Sequence, residues 1–276
     1  MEHAPSTPSA FAGSPVDNRV ASADTRATAT TGSAASPRVA LVTGAGKRLG
    51  RAIALALAQD GWDIGVHCRD SVVEAEQTVK DIQALGRRAV VLQANLDDAG
   101  QCQTLVPRLA DALGPVSGLV NSASRFEYDD IRSFTPESLH EHLLPNLMAP
   151  LLLAQSLVSQ LPAAPVQGVI VNLLDQKLFN LNPDFLSYTL SKAALSAATT
   201  MLAQALAPRM RVVGVAPGLT LPSYLQDETA FAHAHRTLSP LGQGRCRYRG
   251  LCHEDPLDHR HHAAGRRRPA PAGPAP

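Results

Sequence analysis

The chain has 276 residues, 45% of them hydrophobic and 18% charged, which excludes a peptide module and suits one large domain or two modest ones. No run approaches 18 consecutive apolar residues, and the N-terminus lacks a charged start followed by an apolar block, so neither a membrane span nor a secretory signal is expected and a cytoplasmic protein is. The net charge of +1 is an average: Arg245–Pro276 holds seven Arg against three acids, or +4, leaving 18 basic against 21 acidic residues, or −3, before it.

Residues 1–37 are almost all Ala, Ser, Thr, Pro and Gly, a composition that cannot bury enough apolar surface to offset ordering, and are expected to be disordered. Glu2, Asp17 and Asp24 argue against a transit peptide. From Arg38 the pattern predicts strand 38–43, helix 48–60, strand 62–67, helix 72–85, strand 88–93 and helix 98–112. It continues with strand 117–121, helix 136–160, strand 166–173, helix 186–207 and strand 211–215. Strands separated by helices of this length imply right-handed crossovers and a doubly wound parallel α/β sheet, Rossmann-like, covered on both faces. Ligands in such sheets bind beyond the C-terminal strand ends.

After the first strand comes Thr43-Gly44-Ala45-Gly46-Lys47-Arg48-Leu49-Gly50, opening a helix. Glycines allow a tight turn, and a helix N-terminus offers N–H groups and partial positive charge to a pyrophosphate. The second strand ends at His67-Cys68-Arg69-Asp70. Arg69, with Lys47 and Arg48, favours the 2′-phosphate of NADPH, whereas Asp70 is the acid an NAD site would use, or simply a surface partner for Arg69. Four cysteines, Cys68, Cys102, Cys246 and Cys252, have no C-x-x-C spacing and suit a reducing compartment. No metal site is expected.

Tyr188 and Lys192 stand at i, i+4 on one helix face. A cationic Lys near a phenol is expected to lower the phenol's pKa toward neutrality. Asn146, between Pro145 and Pro150, loses the helical partner of its carbonyl because Pro150 has no N–H; a kink is the plain alternative.

With these residues in view, the chain resembles the short-chain dehydrogenase/reductase superfamily over about 38–242, through the glycine turn, Asn121-Ser122-Ala123-Ser124, Asn146, Tyr188-x-x-x-Lys192 and Ala216-Pro217-Gly218. Within it the chain resembles the pteridine reductases. Arg48 replaces the middle glycine of the turn, Arg69 lies in a similar strand end, Phe126 follows the Asn121 run where these enzymes stack an aromatic on the pterin, and Asp175 stands thirteen residues before Tyr188 where most relatives use Ser.

The resemblance implies NADPH-dependent hydride transfer to the C=N bond of a dihydropterin or dihydrofolate. Its catalytic residues would be Asp175, Tyr188, Lys192 and Asn146, and its substrate contacts Arg48, Phe126, Asp175 and Tyr188. Cofactor contacts would come from Gly44, Lys47, Arg48, Leu49, Gly50, His67, Arg69, Asn95, Leu96, Asn121, Ala123, Ser124, Tyr188, Lys192, Pro217 and Gly218. It also implies a dimer or tetramer. The alternatives are a carbonyl or alcohol oxidoreductase of other substrate, or a truncated product that at most binds cofactor. After Gly244 the expected helix and seventh strand give way to Arg-, His- and Pro-rich text, read as a shifted frame of GC-rich coding sequence. A nucleic-acid arm or a metal-binding His tract at 245–276 is less expected, because aromatic interleaving and ligand spacing are missing.

Overall fold

The computed structural model describes residues 38–161 and 168–218. Six strands form one parallel sheet in the order β3-β2-β1-β4-β5-β6: β1 Arg38–Val42, β2 Trp62–Cys68, β3 Ala89–Gln93, β4 Val116–Asn121, β5 Gly168–Leu173 and β6 Met210–Val215. The chain enters at the centre of the sheet, runs outward to β3, then crosses back to β4 and proceeds the other way. The C-terminal ends of β1 and β4 thereby diverge, opening the crevice where a doubly wound sheet takes its ligands.

The strands read as continuous apolar runs because both faces are covered. Along β1, Val39 and Leu41 enter one core and Ala40 and Val42 the other. The first core joins Leu119 and Ile170 to α3 (Ala99–Leu113), α5 (Ala149–Gln160) and the C-terminal part of α6 (Leu186–Leu206). The second joins Ile64 and Val66 to α1 (Arg48–Gln59) and α2 (Val72–Ala84). Each fully buried Leu or Ile contributes about 1.5–3 kcal/mol relative to exposure. At the opposite edge from the crevice, buried Asp63 of β2 pairs with Arg87 (2.7 Å) and Arg88 (2.8 Å), tying β2 to the segment before β3.

Two prolines alter the helices. Pro107 lies inside α3 and cannot donate to the carbonyl of Gln103, which accepts instead from the Ser156 hydroxyl of α5 at 3.4 Å. The single helix expected over 136–160 is α4 (Pro136–Leu143), a π-helical turn (Leu144–Met148) and α5. Pro150 supplies no N–H to Asn146, and the Ala149 N–H reaches five residues back to Leu144, so the extra residue is absorbed as a wide turn rather than as a bend in a continuous helix.

Among the described residues β6 is the last strand of the sheet, with Met210 and Val212 buried and Val213 exposed. The expected disordered lead 1–37, the basic tail and the missing helix and seventh strand all lie outside the described residues.

Candidate active site

The turn between β1 and α1 admits its sequence for steric reasons. Gly44 has φ +65°, and a Cβ there would stand 3.0 Å from the Ala123 Cα after β4. A Cβ on Gly50 would lie 2.2 Å from the Gly44 carbonyl oxygen, so α1 can begin this close to β1 only with glycine at that position. No side chain caps α1, which leaves its first-turn N–H groups to an anionic ligand. Thr43 Oγ1 accepts from the N–H groups of Ser122 and Ala123, both at 3.0 Å, and so fixes the turn against the segment after β4. Arg48 has φ +49°. A non-glycine residue in the left-handed region costs about 1–3 kcal/mol and persists where its surroundings enforce it, commonly at functional sites.

His67, expected to touch cofactor, lines the cleft over this turn and also holds the turn. Its Nδ1 accepts from the Gly44 N–H at 3.1 Å while Nε2 faces the Ala94 carbonyl at 3.2 Å, which assigns the neutral Nε2–H tautomer. Burial pushes its pKa down to about 4. Both ring nitrogens are therefore bonded to the backbone.

A cleft of about 770 Å³ opens over this turn. It is lined by the predicted Gly44, Lys47, Arg48, Leu49, Gly50, His67, Arg69, Asn95, Leu96, Ala123, Ser124 and Phe126. Asn121 sits behind it, buried, donating to Asn172 Oδ1 at 2.8 Å, with its own Oδ1 unpartnered. Pro217 accepts from the Gln176 N–H at 3.4 Å, which draws the Pro217-Gly218 end toward Asp175. Arg69 pairs with Asp70 at 2.7 Å, and Lys47 with Glu74 at 2.7 Å. Both pairs are more than a third exposed and so contribute little. A phosphate can compete for either cation. The glycine cradle, the uncapped helix and the cationic rim fit a dinucleotide.

Beside the cleft, α6 begins at Leu186 and carries Tyr188 and Lys192 on its buried face. The Tyr188 hydroxyl donates to Asp175 Oδ2 at 2.6 Å, and the other carboxylate oxygen accepts the Lys177 N–H at 2.8 Å. The expected lowering of Tyr188 by Lys192 is reversed. Burial first, then the charge of Asp175 and the hydrogen bond to it, push the phenol well above its ordinary range. Lys192 donates to the Leu173 carbonyl at 2.8 Å, its Nζ 5.8 Å from the Tyr188 ring centroid, and burial brings it down to about 8 against the opposing charge of Asp175. Tyr188 therefore holds its proton, as a donor must.

Asn146, in the π turn and fully buried, is a clamp. It donates to the Arg125 carbonyl (3.0 Å) and Ser191 Oγ (2.9 Å), and accepts from the Arg125 N–H (2.8 Å) and the Ser124 hydroxyl (3.1 Å). The next residue, Phe126, packs its ring edge-on to Tyr188 at 4.7 Å and stacks flat on Phe185 at 4.3 Å.

The short chain dehydrogenase family model matches residues 38–232. The chain belongs to the short-chain dehydrogenase family. A FolM alternative dihydrofolate reductase 1 of Brucella canis, crystallised with NADP, is 40% identical, with a TM-score of 0.72 over 75% of this chain and 82% of that one. A short-chain dehydrogenase of Burkholderia cenocepacia with NADP is 33% identical, with a TM-score of 0.69 over 75% and 84%. A 3-oxoacyl-[acyl-carrier-protein] reductase of Staphylococcus aureus is 31% identical over 180 residues, 65% of this chain and 73% of that one.

In this short-chain dehydrogenase twelve of the expected residues line one cleft, and Tyr188 adjoins it through Phe126. Thr43 was visible only as the first letter of the turn. Phe185 lies in no motif; its stacking on Phe126 exists only in the folded chain. Among the described residues no group of acids, His and Cys could hold a metal ion, and no helix is long and apolar enough to cross a membrane.

Proposed function

We propose that this short-chain dehydrogenase is an NADPH-dependent reductase of a C=N bond in a dihydropterin or dihydrofolate. The observation that carries the reading is the 2.6 Å bond from Tyr188 to Asp175, a carboxylate where a carbonyl reductase more usually has a hydroxyl. Likeness to a FolM dihydrofolate reductase supports it.

Reduction of C=N needs a hydride at carbon and a proton at nitrogen. NADPH supplies the hydride when bound. The Gly44–Gly50 turn and the α1 N-terminus would take its pyrophosphate, Arg69 and Lys47 the 2′-phosphate, and Lys192 the nicotinamide ribose. Tyr188 carries the proton, and Asp175 holds the phenol oxygen in place and stands ready to relay a proton toward a ring nitrogen. Phe126, backed by Phe185, offers a flat face, and such stacking is worth about 0.5–1.5 kcal/mol beyond area burial. Arg48, planar and cationic, serves the cofactor phosphate and the polar edge of the heterocycle. A cytoplasmic homo-oligomer, dimer or tetramer, completes the proposal; its mass in solution by light scattering tests the assembly.

The deciding experiment is single-turnover NADPH oxidation with dihydrobiopterin, dihydromonapterin and dihydrofolate, using protein shown to be folded. Consumption with at least one is expected. No consumption with any of them refutes the reading, and turnover of simple ketones alone moves it to a carbonyl reductase.

A further inference from the structure

The helix that carries Tyr188 lacks a cap of its own. Its N-cap residue, Phe185, sits at φ +56° with no side-chain acceptor to offer the first turn. The acceptor comes from Asp129, 58 residues before Ser187 and 3% exposed. Asp129 Oδ1 accepts the Ser187 N–H at 3.0 Å, Oδ2 accepts the Ser187 hydroxyl, and the Asp129 carbonyl accepts the Leu186 N–H at 3.1 Å. The same Oδ2 accepts from Ser138 at 3.0 Å, in the first turn of α4. One carboxylate thus joins the starts of two helices, where its negative charge also suits their N-terminal dipoles.

Asp129 is the last of three anchors along one segment. Asn146 holds both backbone groups of Arg125, and His142 Nε2 accepts the Glu127 N–H at 3.2 Å. Between the anchors, Phe126 and Tyr128 pack on Phe185. Burial would raise the Asp129 carboxyl; the bonds from Ser187 and Ser138 outweigh it, so the group is an anion at neutral pH.

We propose that Asp129 is a positioning residue for Tyr188: by fixing Ser187 from a distant loop, its carboxylate sets the phenol oxygen against Asp175 and couples that contact to the ring of Phe126. This rests on Tyr188 as the proton donor proposed above. Loosening Ser187 lets the phenol drift from Asp175, and small misplacements of reacting groups cost up to about 100-fold in rate. Besides Asp175, the charged group facing Tyr188 is Lys192 on α6 itself.

The test compares Asp129→Ala, Asp129→Asn and Ser138→Ala in the full chain. The readouts are kcat and KM, NADPH affinity by nicotinamide fluorescence, and hydrogen exchange over residues 186–190. Asp129→Ala is expected to lower kcat about tenfold, keep KM and NADPH affinity within about twofold and speed exchange. Asp129→Asn retains an acceptor for Ser187 and recovers to within about threefold of wild type, while Ser138→Ala loses about threefold. Wild-type kcat in Asp129→Ala, or a loss shared equally with NADPH affinity, overturns the proposal. If that variant does not fold, Ser138→Ala with wild-type kcat and exchange overturns it. A wild type that turns over only ketones refutes the substrate reading alone; the comparison then runs on that ketone, and the exchange measurement needs no substrate.

Discussion

Replacing Asp175 with Ser separates the proposed chemistry from that of a generic ketone reductase. The carboxylate accepts the Tyr188 proton at 2.6 Å and the Lys177 N–H at 2.8 Å. Ser keeps a hydroxyl near the phenol but removes the charge. A charge-assisted hydrogen bond such as this part-buried one contributes about 1.5–3 kcal/mol. If about 2 kcal/mol of that is used only when nitrogen is protonated, kcat/KM for a dihydropterin falls about 30-fold. A simple ketone, whose oxygen needs only the Tyr188 proton, should lose less than about threefold. Steady-state NADPH oxidation with both substrate types is the assay. Equal losses on dihydropterin and ketone would refute the assigned role of Asp175.

Acid stability should report His67. Its pKa is about 4 in the fold against an ordinary 6.5. An unfolded chain therefore binds a proton that the folded one refuses, and about 3 kcal/mol of stability present above pH 6.5 is lost as pH falls toward 4. His67→Gln should flatten the melting temperature over that interval, and an unchanged slope would sink the assignment. Gly50→Ala puts a methyl group against the Gly44 backbone, so it should cost about 1–3 kcal/mol by overpacking and weaken NADPH binding at least about tenfold, measured by calorimetry. Arg48→Gly should relieve about 1 kcal/mol of left-handed strain, raising the melting point by about 2–4 °C, while lowering NADPH affinity; a drop in both would contradict the strain argument. Saturating NADPH should raise the wild-type melting point, as binding to the folded state requires.

The architecture was legible in the sequence because its signals are local. Apolar runs of strand length alternate with helical periodicity from Arg38 to Val215, and the order of those segments leaves few topologies besides a parallel sheet. The Gly44–Gly50 turn announces itself because glycine alone meets its steric demand, and Tyr188 with Lys192 because helical spacing puts them on one face. Where chain neighbours decide, as at Pro150, even the site of the helix break was readable, though not its form as a π turn.

What the sequence left open depends on partners far along the chain. Lys192 four residues from Tyr188 suggests a more acidic phenol; the fold turns Lys192 to the Leu173 carbonyl and brings in Asp175, reversing the direction. His67 in a strand end reads as a cofactor contact, and only the positions of Gly44 and Ala94 on either side of its ring assign its tautomer and task. Asp129 carries no motif, yet it supplies the cap that Phe185 cannot. Sequence determined which elements form and which residues could carry chemistry, since propensity, period and steric demand are properties of short stretches. Tertiary structure decided protonation and aim, since these depend on burial and on distances of a few ångströms between residues tens of positions apart.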